Sequence, residues 1–108
     1  MKIVQIEQFF PCRRVRLVKV TTGSGLVGWG ETTLEGRPKS ASAAVDEIAE
    51  YLIGKDPLRI EHHWQYMYRW THFRGAAIMG ALSAIDIALW DIAGKHFGVP
   101  CYQLLGGK

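Results

Sequence analysis

The sequence predicts an α+β domain, a three-stranded antiparallel meander followed by about three helices. Two patterns carry that prediction. Up to Glu31 the chain consists of short runs of Val, Ile, Leu and aromatic residues, separated by Pro11 and by Thr22-Gly23-Ser24-Gly25, which is how strands and their turns read. From Ser40 onward apolar residues return every three or four positions, the period of a helix face. Strands first and helices after is the order of an α+β fold, not of alternating βαβ units. Length and composition agree: 108 residues, 48% hydrophobic and 21% charged, suffice for one modest core and exclude a disordered tail. A complete (β/α)8 barrel needs roughly 250 residues and is absent from this chain.

The strands are expected over Lys2–Phe9, Arg14–Thr21 and Leu26–Glu31. The Gly-Ser-Gly connection is short enough to make the second and third an antiparallel hairpin. Gly28 and Gly30 flank Trp29 in the third strand, weakening it and allowing something to approach its backbone closely. The first helix carries Ala41, Val45, Ile48 and Leu52 on one stripe, with Asp46, Glu47 and Glu50 off it and Gly54 as its C-terminal cap. Asp56-Pro57 restarts the chain, Asp as N-cap and Pro at the first helical position, and Ile60, Trp64, Met67 and Thr71 form the second stripe.

The third helix, Ala76 to Phe97, differs in kind. Ile78, Leu82, Ile85, Ile87, Leu89, Trp90 and Ile92 cover most of its circumference, so it is expected to be buried on more than one side. Asp91 and Lys95 can pair at i,i+4, and Gly98-Val99-Pro100 ends the helix. Beyond Pro100 lies an apolar segment with a glycine turn, Cys101 to Lys108. That segment and the all-round apolar helix point to a chain that packs against further protein.

A net charge of +3 marks an ordinary solvated surface rather than a strongly basic one. Cys12 and Cys101 lie at opposite ends with no CxxC partner, which reads as two free thiols in a reducing compartment. No apolar run approaches the roughly 18 residues of a membrane span. Gln5 and Glu7 stand where a signal peptide needs apolar residues. The expectation is a cytoplasmic chain with neither membrane nor nucleic acid as partner.

Gly23-Ser24-Gly25-Leu26-Val27-Gly28 spells G-x-G-x-x-G, but a dinucleotide site needs its last glycine to open a helix. Here a strand continues, so the run reads as a hairpin turn. His62 and His63 are adjacent on a helix and diverge by about a hundred degrees, too far to share an ion. His72 and His96 have no partner at i+3 or i+4. Glu31 and Glu35 are near in sequence without a third carboxylate for a magnesium cage. Trp64, Tyr66, Tyr68, Trp70 and Phe73 could stack on bases, yet their helical spacing favours core and interface. Arg13, Arg14, Arg16 and Arg37 are the candidates for gripping an anion, although alternating cations on a strand commonly form its solvent face. The residues show no nucleophile–base pair, metal cage or phosphate loop.

Three stretches carry a resemblance: Gly28-Trp29-Gly30-Glu31, Leu34-Glu35-Gly36-Arg37, and Ser83-Ala84-Ile85-Asp86-Ile87-Ala88-Leu89-Trp90-Asp91-Ile92-Ala93-Gly94-Lys95. The last runs on to Gly98-Val99-Pro100 and Leu104-Leu105-Gly106-Gly107. Nearly the whole chain resembles the N-terminal capping domain of the enolase superfamily, in the mandelate racemase and muconate lactonizing subgroup. Within it the chain is most similar to the acid-sugar dehydratases, galactonate dehydratases among them. The resemblance implies a lid over residues 1–100, with 101–108 starting the linker into a barrel domain missing here. It implies a lyase that removes the proton next to a carboxylate, passes through an enediolate and loses water. Mg²⁺ would be bound by the missing barrel, which also supplies the base, so no catalytic residue and no metal ligand is assigned to this chain.

In the family two loops reach the barrel mouth, matched here by Phe10-Pro11-Cys12-Arg13-Arg14 and Thr32-Thr33-Leu34-Glu35-Gly36-Arg37. The resemblance thus implies substrate contact by Glu35, Arg37 and Arg14, a small sugar acid as substrate, and a homo-oligomer at full length. The lid alone would be inactive. Alternatives are a racemase or epimerase of the same subgroup and, from a different class, a small nucleic-acid-binding or dimerising module.

Overall fold

The computed structural model describes residues 1–70 and 74–108. Three strands come first, β1 (Ile3–Cys12), β2 (Val15–Thr22) and β3 (Val27–Glu31). Helices α1 (Pro38–Leu52), α2 (Ile60–Arg69), α3 (Ala76–Phe97) and α4 (Cys101–Leu104) follow. The sheet is an antiparallel meander in the order β1-β2-β3, so the α+β architecture expected from the sequence is the one observed.

Three boundaries differ from expectation by more than one residue. β1 runs through Pro11 to pair Cys12 with Val15, leaving Arg13-Arg14 as a tight turn where a loop over Phe10–Arg14 was expected. An edge strand tolerates proline, and a register shift between Phe9 and Cys12 absorbs it. α1 starts at Pro38, not Ser40, because a proline in the first turn has no donor to lose. α2 starts at Ile60, not Pro57. The Asp56 carboxylate accepts the Leu58 N–H at 2.9 Å and the Asp56 carbonyl accepts that of Arg59 at 3.4 Å. Those bonds close a separate turn ahead of the helix. The segment after Pro100 carries one helical turn, α4, whose Leu104 packs on the core and whose Cys101 thiol donates to the Trp90 carbonyl at 3.4 Å.

The core lies between the inner face of the sheet and the helices. β1 and β2 contribute Ile3, Val18 and Val20, α1 its predicted stripe of Ala41, Val45, Ile48 and Leu52, and α2 Ile60 and Met67. Trp64 is only partly buried, and Thr71 lies outside the described residues. α3 occupies the middle, against β3 and β2 on one side and α1 and α2 on the other. Burying Leu82, Ile85, Leu89 and Ile92 completely contributes about 1.5–3 kcal/mol each. Much of its apolar surface is therefore used within the domain, although Ile87 and Phe97 stay exposed. By length and composition α3 could cross a bilayer, which contiguous apolar runs do not reveal, but the core helix of a soluble protein passes the same test.

The close approach expected at Gly28 and Gly30 is made by α3. A Cβ on Gly28 would collide with the Ala88 carbonyl, and one on Gly30 with the Ala84 carbonyl. Only glycine lets strand and helix backbones meet this closely. The free edge of β3 is then closed by side chains from the same helix. Asp91 accepts the Trp29 N–H at 3.0 Å and the Lys95 ammonium at 3.1 Å, while Lys95 also donates to the Val27 carbonyl. The expected i,i+4 pair exists and serves to cover a strand edge.

Candidate functional site

The turn between β1 and β2 and the segment between β3 and α1 face each other across a cleft of about 560 Å³. Its walls include Arg13, Arg14, Arg16, Thr33, Leu34 and Glu35. Local chemistry places each of them. The two-residue turn projects Arg13 and Arg14 from the end of the hairpin. On the other wall the Arg37 N–H donates to the Leu34 carbonyl at 3.1 Å, closing a turn with Glu35 and Gly36 at its tip. Gly36 has φ +77°, the left-handed position that a glycine satisfies without strain. Glu35 is thereby held out at the cleft edge. Thr33 donates to the Glu31 carboxylate at 2.7 Å, so Glu31 braces the wall and does not join Glu35.

Of the three residues expected to touch a substrate, the structure brings Arg14 and Glu35 together and leaves Arg37 out. Arg37 is the N-cap of α1, and its guanidinium donates to the carbonyl of neighbouring Gly36 at 3.1 Å. Arg16 joins the cleft instead. It shares the phase of Val18 and Val20, so it lies on the core face of β2 and not on the solvent face expected for alternating cations. Its guanidinium stacks 4.2 Å from the centre of the Phe10 ring.

A second cleft, of about 460 Å³, lies at the corner between α1 and α2, lined by Tyr51, Lys55, Arg59, His62 and Tyr66 with His63 at its back. His63 is buried, and its Nε2 lies 2.7 Å from the Asp56 carbonyl while Nδ1 lies 2.9 Å from the Tyr51 hydroxyl. A carbonyl can only accept, so Nε2 carries the proton and Nδ1 accepts from tyrosine. Burial pushes the His63 pKa below its ordinary value, against the opposing Asp56 carbonyl bond. With both nitrogens engaged, this is a structural neutral histidine. Tyr66 stacks between Tyr51 (3.9 Å) and Trp70 (6.2 Å), and Trp64 on Tyr68 (4.9 Å), so the aromatic residues of α2 mostly occupy one another. His96 packs edge-on against Phe97. His72 and Phe73 lie outside the described residues.

Asp86, half-buried on α3, has its carboxyl raised by burial and by nearby Glu61, with a hydrogen bond from Trp90 opposing. The Gly23–Gly25 run is a hairpin turn, Gly25 N–H donating to the Thr22 carbonyl at 3.1 Å, and the inner face of Gly28 is filled by α3. Cys12 and Cys101 are free thiols. Among the described residues no three His, Cys, Asp or Glu side chains converge where they could hold an ion. The donors of the described residues therefore do not make up a magnesium site.

Residues 11–106 match the model of the mandelate racemase / muconate lactonizing enzyme, N-terminal domain. The chain is 52% identical over 108 residues to a D-galactonate dehydratase of Xanthomonas campestris pv. campestris (strain B100) and 50% identical over 109 residues to that of Variovorax paradoxus (strain S110). It spans 28% of the length of these curated relatives. Among solved structures it superposes on a putative galactarate dehydratase from Agrobacterium radiobacter with a TM-score of 0.93 at 35% identity, covering 99% of this chain and 28% of that one. It is also similar to the 3,6-anhydro-D-galactonate cycloisomerase from Zobellia galactanivorans, with a TM-score of 0.88 at 36% identity, covering 99% of this chain and 32% of that one.

Proposed function

The chain belongs to the mandelate racemase / muconate lactonizing enzyme family as its N-terminal domain, and from that premise we propose that it is the lid and specificity domain of an acid-sugar dehydratase. The observation that supports this reading is the meeting of Arg14 and Glu35, twenty-one positions apart in sequence (35 − 14), on opposite walls of one cleft. Guanidinium forks and a carboxylate together supply donors and acceptors for a hydroxylated acid. The reaction proposed for the whole enzyme is removal of the proton beside a carboxylate and loss of the β-hydroxyl as water. The residues that move that proton, and the magnesium ion, belong to a barrel domain that this chain does not include.

What this chain's own residues do is bind, orient and exclude water. Glu35 accepts from substrate hydroxyls and Arg14 donates to them, while Leu34 and the hairpin turn cover the mouth of the barrel. We place the enzyme in the cytoplasm on the N-terminal and cysteine pattern of the sequence, and as a homo-oligomer on family grounds. The racemase or epimerase alternative differs only in product, and one of the similar structures is that of a cycloisomerase. A nucleic-acid module is less favoured, because the arginine cluster shares its cleft with Glu35 and the α2 aromatics stack mainly on one another.

The test uses the longer protein that carries this domain joined to its barrel. Glu35→Gln and Arg14→Met should each raise KM for galactonate or galactarate about tenfold or more with a smaller change in kcat, as loss of uniform binding does. The 108-residue chain alone should release no 2-keto product. Turnover by the chain alone, or unchanged kinetics in both variants, would end the lid reading. Product carrying an inverted centre with no water lost would move it to the epimerases.

A further inference from the structure

Arg16 does not suit a cleft that handles hydroxyl groups only. It stands on the central strand in the phase of Val18 and Val20, both fully buried, and is itself partly buried, so its stem is packed while its charge must be met at the cleft. Its Nε is buried and has no hydrogen-bond partner among the described residues. Phe10 covers one face of the guanidinium at 4.2 Å, which fixes the plane of the fork without neutralising its charge. Its own wall offers no relief. The lining holds three guanidinium groups, Arg13, Arg14 and Arg16, against the single carboxylate of Glu35. Among the described residues no ion pair within 4 Å involves any of the four.

From this charge excess we infer that the cleft receives a carboxylate: the substrate is a dicarboxylic sugar acid, an aldarate, and Arg16 selects it over the monocarboxylic aldonate. The inference rests on the lid reading above and deepens it. One carboxylate of an aldarate sits beside the proton to be removed, at the barrel. The other, at the far end of the chain, meets the lid. There a planar fork held by Phe10 can grip both carboxylate oxygens. An aldonate presents a neutral hydroxymethyl group at that end and offers the arginine cluster no charge to pair with, and that difference is what discriminates between the two acids. Glu35 is one acceptor among three cations, suited to the adjacent hydroxyl.

The test compares hexarates, galactarate among them, with the matching hexonates on the longer protein. The wild type should favour a hexarate by about 100-fold in kcat/KM. Arg16→Met should abolish most of that preference, raising KM for the diacid while moving kcat/KM for the monoacid no more than about threefold. Arg16→Lys, keeping the charge but not the fork, should recover part of it. The wild-type ratio decides even if Arg16→Met unfolds. A wild type that prefers hexonates, or an Arg16→Met variant that loses both activities equally while folded, overturns the inference and leaves the dehydratase reading standing. Failure to dehydrate any acid of either kind overturns both.

Discussion

His63 is closed into the corner between α1 and α2, its ring donating to the Asp56 carbonyl and accepting from the Tyr51 hydroxyl. Burial, the largest influence, holds its pKa below the ordinary value near 6.5, with His62 and Arg59 acting in the same direction. As pH falls through about 6.5 the unfolded chain takes up a proton that the folded chain refuses, so stability drops as acid is added. Asp86 acts in the opposite sense: its raised pKa stabilises the fold in acid, above all below its ordinary value near 3.8, and loses that effect as pH rises. Urea unfolding at pH 7.5 and 5.5 should therefore show a loss of stability on acidification that His63→Gln diminishes, and an identical slope in the variant would refute the neutral assignment. Residues of the candidate site were unevenly legible at this scale. Arg14 and Glu35 stood out by type and place. Arg37 did not disclose that its guanidinium turns back on Gly36, since no spacing rule reports a rotamer. Arg16 could have been recognised from its two-residue offset to Val18 and Val20, the phase that separates core from solvent on a strand.

The decisive contact between elements is that of β3 with α3, where Gly28 and Gly30 lie against the carbonyls of Ala88 and Ala84. A methyl group at Gly30 would come within 3.0 Å of backbone, which no side-chain rotation can relieve. Gly30→Ala should lower stability by about 3 kcal/mol or leave the chain unfolded, as overpacking against a rigid neighbour does. Gly23→Ala is the matched control. Its added carbon would have the Val4 side chain at 3.5 Å as nearest neighbour, and the cost should stay below about 1 kcal/mol. Chemical unfolding of the two variants reads the difference, and equal midpoints would mean that strand and helix are not so closely apposed. The G-W-G triplet announced that something approaches the strand, but not what. The approaching residues were more than fifty positions away, and only tertiary structure supplies that partner. The strands, α1 and α2 were legible from periodicity because each has a single buried phase, and α3 from its length and all-round apolarity. The start of α2 was not, since Asp-Pro opens turns as readily as helices and the Asp56 carboxylate is spent on Leu58.

At the scale of the molecule the domain encloses one side of its central helix, leaving Ile87 half exposed, and leaves its C-terminal end uncovered. Phe97 is 59% exposed and Leu105 65%, whereas the residues of α3 between the sheet and the other helices are fully enclosed. The chain spans 28% of the length of relatives at 50–52% identity, and we propose that the barrel covers this end. If so, the value of these side chains depends on context. In the 108-residue chain Phe97→Ser and Leu105→Ser should each change stability by no more than about 0.5 kcal/mol, as expected for exposed positions, and should reduce self-association by removing apolar surface. In the longer protein the same substitutions should cost about 1–3 kcal/mol each, the value of a side chain withdrawn from a filled contact. Unfolding midpoints measured in both contexts give the comparison. A cost that is small in both would leave the end facing water and the barrel docked elsewhere. A cost that is large in the chain alone would mean that Phe97 and Leu105 already belong to this domain's own packing.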